Sequence, residues 1–281
     1  MNIGVSAMAS DKHGDIGTVA KKVEEVGFES IWLPEHPIIP VNHNSKYGGT
    51  PDGSIPPHMY SMPNPFIALA RVSATTTTLK LGTGISLVTE HNPIDLAKEI
   101  ATLDHYSSGR FLFGIGTGWF REESEIMGAD FDHRWTQARE HVLAMKELWT
   151  KEQAEFHGTY VNFPPVYCNP KPSQLPHPPV LLGGNAKNVL QRVVRWGDGW
   201  LPLGVSPEDI KKARATLSEL AEVSGRDPNS ISITVFGQPP DKDLIDKFEE
   251  AGADRVLLRL AGDNEKALLA DAEEKASAVF R

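Results

Sequence analysis

Three short stretches of this chain combine residue types that can do chemistry. In W-L-P-E-H-P at 32–37, Glu35 and His36 are adjacent, and histidine takes up or gives a proton near neutral pH. In R-F-L-F-G-I-G-T-G-W at 110–119, Gly114, Gly116 and Gly118 alternate at the end of an apolar run, with the Thr117 hydroxyl between the last two. Glycine within a strand weakens it and marks a bulge or the close approach of another body. In L-L-G-G-N-A-K-N at 181–188, Gly183, Gly184 and Asn185 separate a strand-like run from a helix-like one. Free N–H groups and the helix dipole at such a junction favour an anion, commonly phosphate. Each stretch also has a plainer explanation. These are a loop histidine bonded to backbone, glycines that serve packing, and a helix start capped by Asn185. Residue types alone leave both open.

Other chemistries lack their residues. A dinucleotide fingerprint needs G-x-G-x-x-G opening an early helix; here the spacing is G-x-G-x-G followed by Trp119, after three strand–helix units. There is no H-E-x-x-H, no C-x-x-C, no G-x-S-x-G and no P-loop, so no metal site is expected. The single cysteine, Cys168, rules out a disulfide within the chain and fits a reducing, cytoplasmic setting. The net charge of −9 argues against a nucleic-acid or anionic-membrane partner, which would need a basic face. The first residues, M-N-I-G-V-S-A-M-A-S, do not read as a signal peptide, and no apolar run is long enough to span a membrane.

The elements that must position these residues alternate along the chain. Strands are predicted at 2–8, 29–34, 79–85, the stretch opening at 110, 179–184, 198–203, 231–236 and 254–260. Helices are predicted at 16–26, around 65–77, from Pro93, and at 135–149, 186–196, 206–223, 240–251 and 263–280. Ser206-Pro207-Glu208-Asp209 carries a serine cap, a first-turn proline and first-turn acids. Eight strands each followed by a helix is the count of an α/β protein of the (β/α)8 TIM-barrel type; the rival is an open doubly wound sheet. The length, 281 residues, suits one such domain with insertions. Residues 37–63 hold six prolines and three glycines and read as a lid-like loop or a loose surface loop at the C-terminal face. Residues 151–178 form a second insertion, with a short hairpin expected around Phe156–Val161.

L-G-T-G-I-S-L at 81–87, A-K-E-I-A-T-L-D-H-Y-S-S-G-R-F-L-F-G-I-G-T-G-W at 97–119 and L-L-G-G-N-A-K-N-V-L-Q-R-V-V-R-W-G-D-G-W at 181–200 match a known pattern. With the Glu-His pair, they resemble the bacterial luciferase-like monooxygenase superfamily, in particular its branch of oxidoreductases that use the deazaflavin F420. The likeness runs from residue 1 to about 260 and implies the same barrel. It implies that Gly116, Thr117 and Gly118 line the cofactor, that Gly183, Gly184 and Asn185 hold its phosphate, and that Glu35 contacts it. Gly84-Ile85 matches a third-strand bulge where relatives often have a non-proline cis peptide supporting the ring. His36 falls near the reactive edge of the ring, as an acid or a polarising group.

One departure bears on substrate. Relatives that oxidise sugar phosphates carry a glutamate directly after G-T-G, and Trp119 stands there instead. With Phe120, Tyr47, Met59, Tyr60 and Met62, it points to an apolar or flat organic substrate. Hydride transfer with F420 is the first expectation. An FMNH2-dependent monooxygenase fed by a separate reductase is the alternative, and a non-catalytic small-ligand-binding barrel is a third reading. The resemblance also implies a homodimer.

Overall fold

The computed structural model describes residues 1–280. Its eight barrel strands are Asn2–Ser6, Ser30–Leu33, Lys80–Thr83, Phe111–Gly116, Val180–Gly183, Gly199–Leu201, Ser232–Gln238 and Arg255–Arg259. Each pairs in parallel with the next, and the first pairs with the eighth from Asn2–Arg255 to Ser6–Arg259. No open edge is left in this set, so the sheet is a closed ring and the doubly wound alternative is excluded. Helices lie between the strands, as in a (β/α)8 TIM barrel.

Local chemistry starts these helices where the sequence predicts. Asn64 and Asn92 each accept from two backbone N–H groups of the first turn, with proline at the first position of helices Pro65–Thr75 and Pro93–Tyr106. Ser206 and Asp209 form a reciprocal capping box on helix Pro207–Val223.

The barrel interior is plugged below its C-terminal rim. Trp32, Leu112, Leu181, Leu201 and Leu257 pack as one buried cluster, with Ile85 and Phe236 above them. The indole of Trp32 explains a strand glycine: a Cβ on Gly82 would lie 2.2 Å from it. At the opposite end Arg255, 7% exposed, grips both oxygens of Glu29 at 2.8 Å and donates to Thr234 Oγ1 at 3.1 Å. The cavity therefore lies at the rim, on a solid floor.

Both insertions are structured. In residues 37–63, a 3-10 turn at Pro57–Ser61 brings Met59 and Ile55 onto Phe120, with Ile39, Tyr47, Met62 and Trp119 packed around them. The second insertion is an antiparallel pair, Ala154–His157 with Asn162–Val166.

Two local expectations need correction. The helix predicted at 186–196 begins at Val189, with Asn188 as the flanking residue, and the Asn185 amide is no cap but donates to Leu203 O at 2.7 Å. A short helix at Arg121–Ile126 was not expected. Its R-E-E-S-E sequence carries no apolar period, and what holds it is the packing of Phe120 at its start and the buried contacts of Glu123 and Ser124.

Candidate active site

The glycines at the end of the fourth strand divide into two kinds. Gly114 is a packing glycine: a Cβ there would meet Thr83 O at 2.1 Å, and Thr83 Oγ1 donates to Gly114 O at 2.7 Å. Gly116 makes room for Ile85, whose Cδ1 lies 2.5 Å from where a Cβ would be. Gly118 adopts φ +72°, a left-handed conformation that glycine takes without steric cost. Gly116, Thr117 and Gly118 form one wall of a rim cavity of about 480 Å³.

The third strand supplies the adjoining wall. It stops at Thr83, and after a cis Gly84–Ile85 peptide the chain resumes as Ser86–Leu87, paired with Ile115 and Gly116. Glu35 braces this bulge. It is 4% exposed and accepts from Ser86 Oγ and Leu87 N, both at 2.7 Å, and from His91 Nε2 at 2.9 Å. Burial pulls the His91 pKa down, but the bond and charge of Glu35, with the nearby carboxyls of Glu99 and Glu90, together raise it. Glu35 thus lines the cavity, but its carboxylate is spent on the wall behind.

His36 is held from the other side. Its Nδ1 lies 2.6 Å from Glu123 Oε2, and Glu123 Oε1 accepts from Ile38 N at 3.3 Å. A carboxylate acceptor assigns the proton to Nδ1, which leaves Nε2 as the free ring nitrogen. The Glu123 side chain is fully buried, and Trp119 meets the His36 ring edge-on at 5.8 Å. Glu123 comes from the short helix that sequence reasoning missed. The adjacent acids Glu122 and Glu123 were the available signal, but such a pair reads as a solvated face. Glu122 accepts from Asn44 N at 2.6 Å and Ser45 N at 3.2 Å, tying the lid to the same helix.

The far end of the cavity is formed by Gly183, Gly184 and Asn185. Gly184 has φ +90° with open space at its Cβ position, and its N–H goes to Leu201 O at 3.2 Å. Trp200 Nε1 fixes the turn by donating to Gly184 O at 2.8 Å. The following residues, 185–188, are exposed, and their N–H groups meet no protein acceptor among the described residues. Arg134 also lines the cavity; its Nη1 donates to Phe131 O at 2.7 Å, and its buried Nε lacks a partner among the described residues.

A family model described as luciferase-like monooxygenase matches residues 2–264. The chain belongs to the luciferase-like monooxygenase family. Among its relatives is Rv0953c of Mycobacterium tuberculosis, 36% identical over 264 residues, 92% of this chain and 91% of that protein. An F420-dependent glucose-6-phosphate dehydrogenase of Kineococcus radiotolerans is 28% identical over 242 residues, 84% of this chain and 66% of its own. An FMNH2-dependent dimethylsulfone monooxygenase of Pseudomonas putida is 33% identical over 123 residues, 43% of this chain and 34% of its own. Two solved luciferase-like folds superpose closely. The monooxygenase RslO1 from Streptomyces bottropensis has a TM-score of 0.76 at 19% identity, covering 100% of this chain and 99% of that one. An F420-dependent secondary alcohol dehydrogenase also has 0.76, at 18% identity, covering 99% and 98%. The luciferase-like family therefore includes relatives that use F420 and relatives that use FMNH2, and it is a family of oxidoreductases and monooxygenases. No helix among the described residues is long and apolar enough to cross a membrane.

Proposed function

We propose that this protein is an F420-dependent oxidoreductase that moves a hydride between the deazaflavin and a small, flat or apolar organic molecule. The observation that carries this reading is one cavity with two different ends. A histidine with a free Nε2 stands at one, and open backbone N–H groups beside a guanidinium at the other. The residues fit a phosphorylated tricyclic cofactor. Gly84, Gly116, Thr117 and Gly118 offer small residues around the apolar Ile85 side chain, and the open N–H groups of residues 185–188 with Arg134 suit an anion. When bound, the deazaflavin supplies or accepts the hydride.

The chain's own residues do the rest. His36 gives a proton to, or takes one from, the substrate oxygen at Nε2, while Glu123 holds the Nδ1 proton and fixes the ring. Tyr47, Trp119, Met59 and Met62 cover the cavity and exclude water. F420 is favoured over FMN on two grounds. The F420-dependent relative matches 84% of this chain, against 43% for the FMNH2-dependent one. The exposed exit at residues 185–188 also accommodates a tail that continues past the phosphate. Trp119 stacks on Phe120 at 4.8 Å and packs against Tyr47 at 5.4 Å, an apolar surface that gives a sugar phosphate nothing to bond to.

Titration of the purified protein with F420 and with FMN, read by fluorescence, tests the reading. Tight binding of F420 alone is expected, with no turnover of glucose 6-phosphate. Tight binding of FMN alone would favour the monooxygenase, binding of neither a non-catalytic barrel, and turnover of the sugar phosphate would refute the assignment of Trp119.

A further inference from the structure

Behind the cavity wall lies a carboxyl group that the proton path above does not use. Glu90 ends the turn Val88–Glu90 and is 5% exposed. Its Oε1 accepts from Ser124 Oγ at 2.8 Å, and its Oε2 is buried with no hydrogen-bond partner among the described residues. A Cβ on Gly118 would stand 3.5 Å from Oε1, so the carboxyl backs directly onto the glycine of the wall. Glu123, Glu35 and His91 face it, with Glu99 and His141 beyond, around His91. Both carboxyls that face it have an imidazole of their own: Glu35 has His91 and Glu123 has His36. Glu90 has a hydroxyl only.

We propose that Glu90 is a positioning residue that stays neutral, so that Glu123 is the one charged carboxyl set against His36 and Nε2 stays turned to the cavity. The inference rests on the role given to His36 above. Carboxyls crowded into a dry site do not all ionise; the one without a cationic or N–H partner keeps its proton. Burial first, and Glu123 second, push the Glu90 carboxyl up to about 8. Above that pH a second negative charge appears beside Glu123 and changes the field at the His36 ring.

The test needs neither cofactor nor substrate. Protein labelled with 15N-histidine is followed by long-range 1H–15N correlation from mildly acidic to alkaline pH, in the wild type and in E90Q, with H36N to assign the signals. The expected result is a His36 ring protonated at Nδ1 whose signals inflect near pH 8 as Glu90 ionises. In E90Q that inflection is lost and the Nδ1 proton stays. Persistence of the inflection in E90Q, or its absence from the wild type, overturns the proposal. If E90Q does not fold, 13C-carboxyl titration of glutamate-labelled wild type decides: one resonance with a midpoint near 8 is expected, and ordinary acidic midpoints throughout overturn it. Because no cofactor is present, a failure to bind F420 leaves this readout intact, and the two outcomes are told apart.

Discussion

At the scale of residues, the site depends on which oxygen or nitrogen is already taken. Glu35 and His36 are neighbours in sequence but face different partners: Glu35 is committed to Ser86, Leu87 and His91, and His36 to Glu123. H36A should lower turnover on the order of 100-fold, the usual worth of a positioned acid or base, while changing F420 affinity less than about threefold. Equal losses in both would move His36 from proton transfer to cofactor binding. Glu90 makes a separate prediction for stability. Its carboxyl titrates near 4.5 when unfolded and is raised to about 8 when folded, so across that interval the folded state binds the extra proton. Stability then falls as pH rises, by about 1.4 kcal/mol per pH unit, and levels off above the folded value. Urea unfolding of the wild type against E90Q should show the wild type losing ground from pH 5 to pH 8. A pH-independent difference would contradict it.

At the scale of elements, the short helix Arg121–Ile126 organises more than its length suggests. Glu122 holds the lid backbone, Glu123 holds His36, and Ser124 meets Glu90. E122A removes the carboxylate oxygen that accepts from the Asn44 and Ser45 N–H groups and so frees the lid backbone locally. Tryptic nicking after Lys46 should rise by about tenfold with the barrel still folded; an unchanged rate would mean that the apolar lid cluster alone holds the loop. This helix also marks the limit of what was legible. The eight strands could be read because each is an apolar run bounded by glycine, proline or a capped helix. The Glu123–His36 pair could not, because it joins residues 87 apart and a polar run gives no period. The start of helix Val189–Trp196 was misplaced for a related reason. G-G-N-A-K-N contains two asparagines suited to a cap, and tertiary contact sends Asn185 to Leu203 instead.

At the scale of the whole molecule, the barrel separates stability from chemistry. Trp32 and the leucines fill the middle, Arg255 and Glu29 close the lower end, and the glycine-lined cavity opens above. R255M leaves Glu29 without its partner and should destabilise the fold by about 3 kcal/mol in urea unfolding. The F420 affinity of the folded fraction should not move, since the substitution lies below the plug. A parallel loss of affinity would show that the two ends of the barrel are coupled.

The most direct measurement is a crystal structure of the protein with F420. It should show the cofactor phosphate within hydrogen-bond distance of the Asn185 and Ala186 N–H groups, the tricyclic ring against Gly84–Ile85 and Gly116–Gly118, and its reactive edge facing His36 Nε2. A phosphate lodged instead at the opposite end of the cavity, beside His36, would contradict the account.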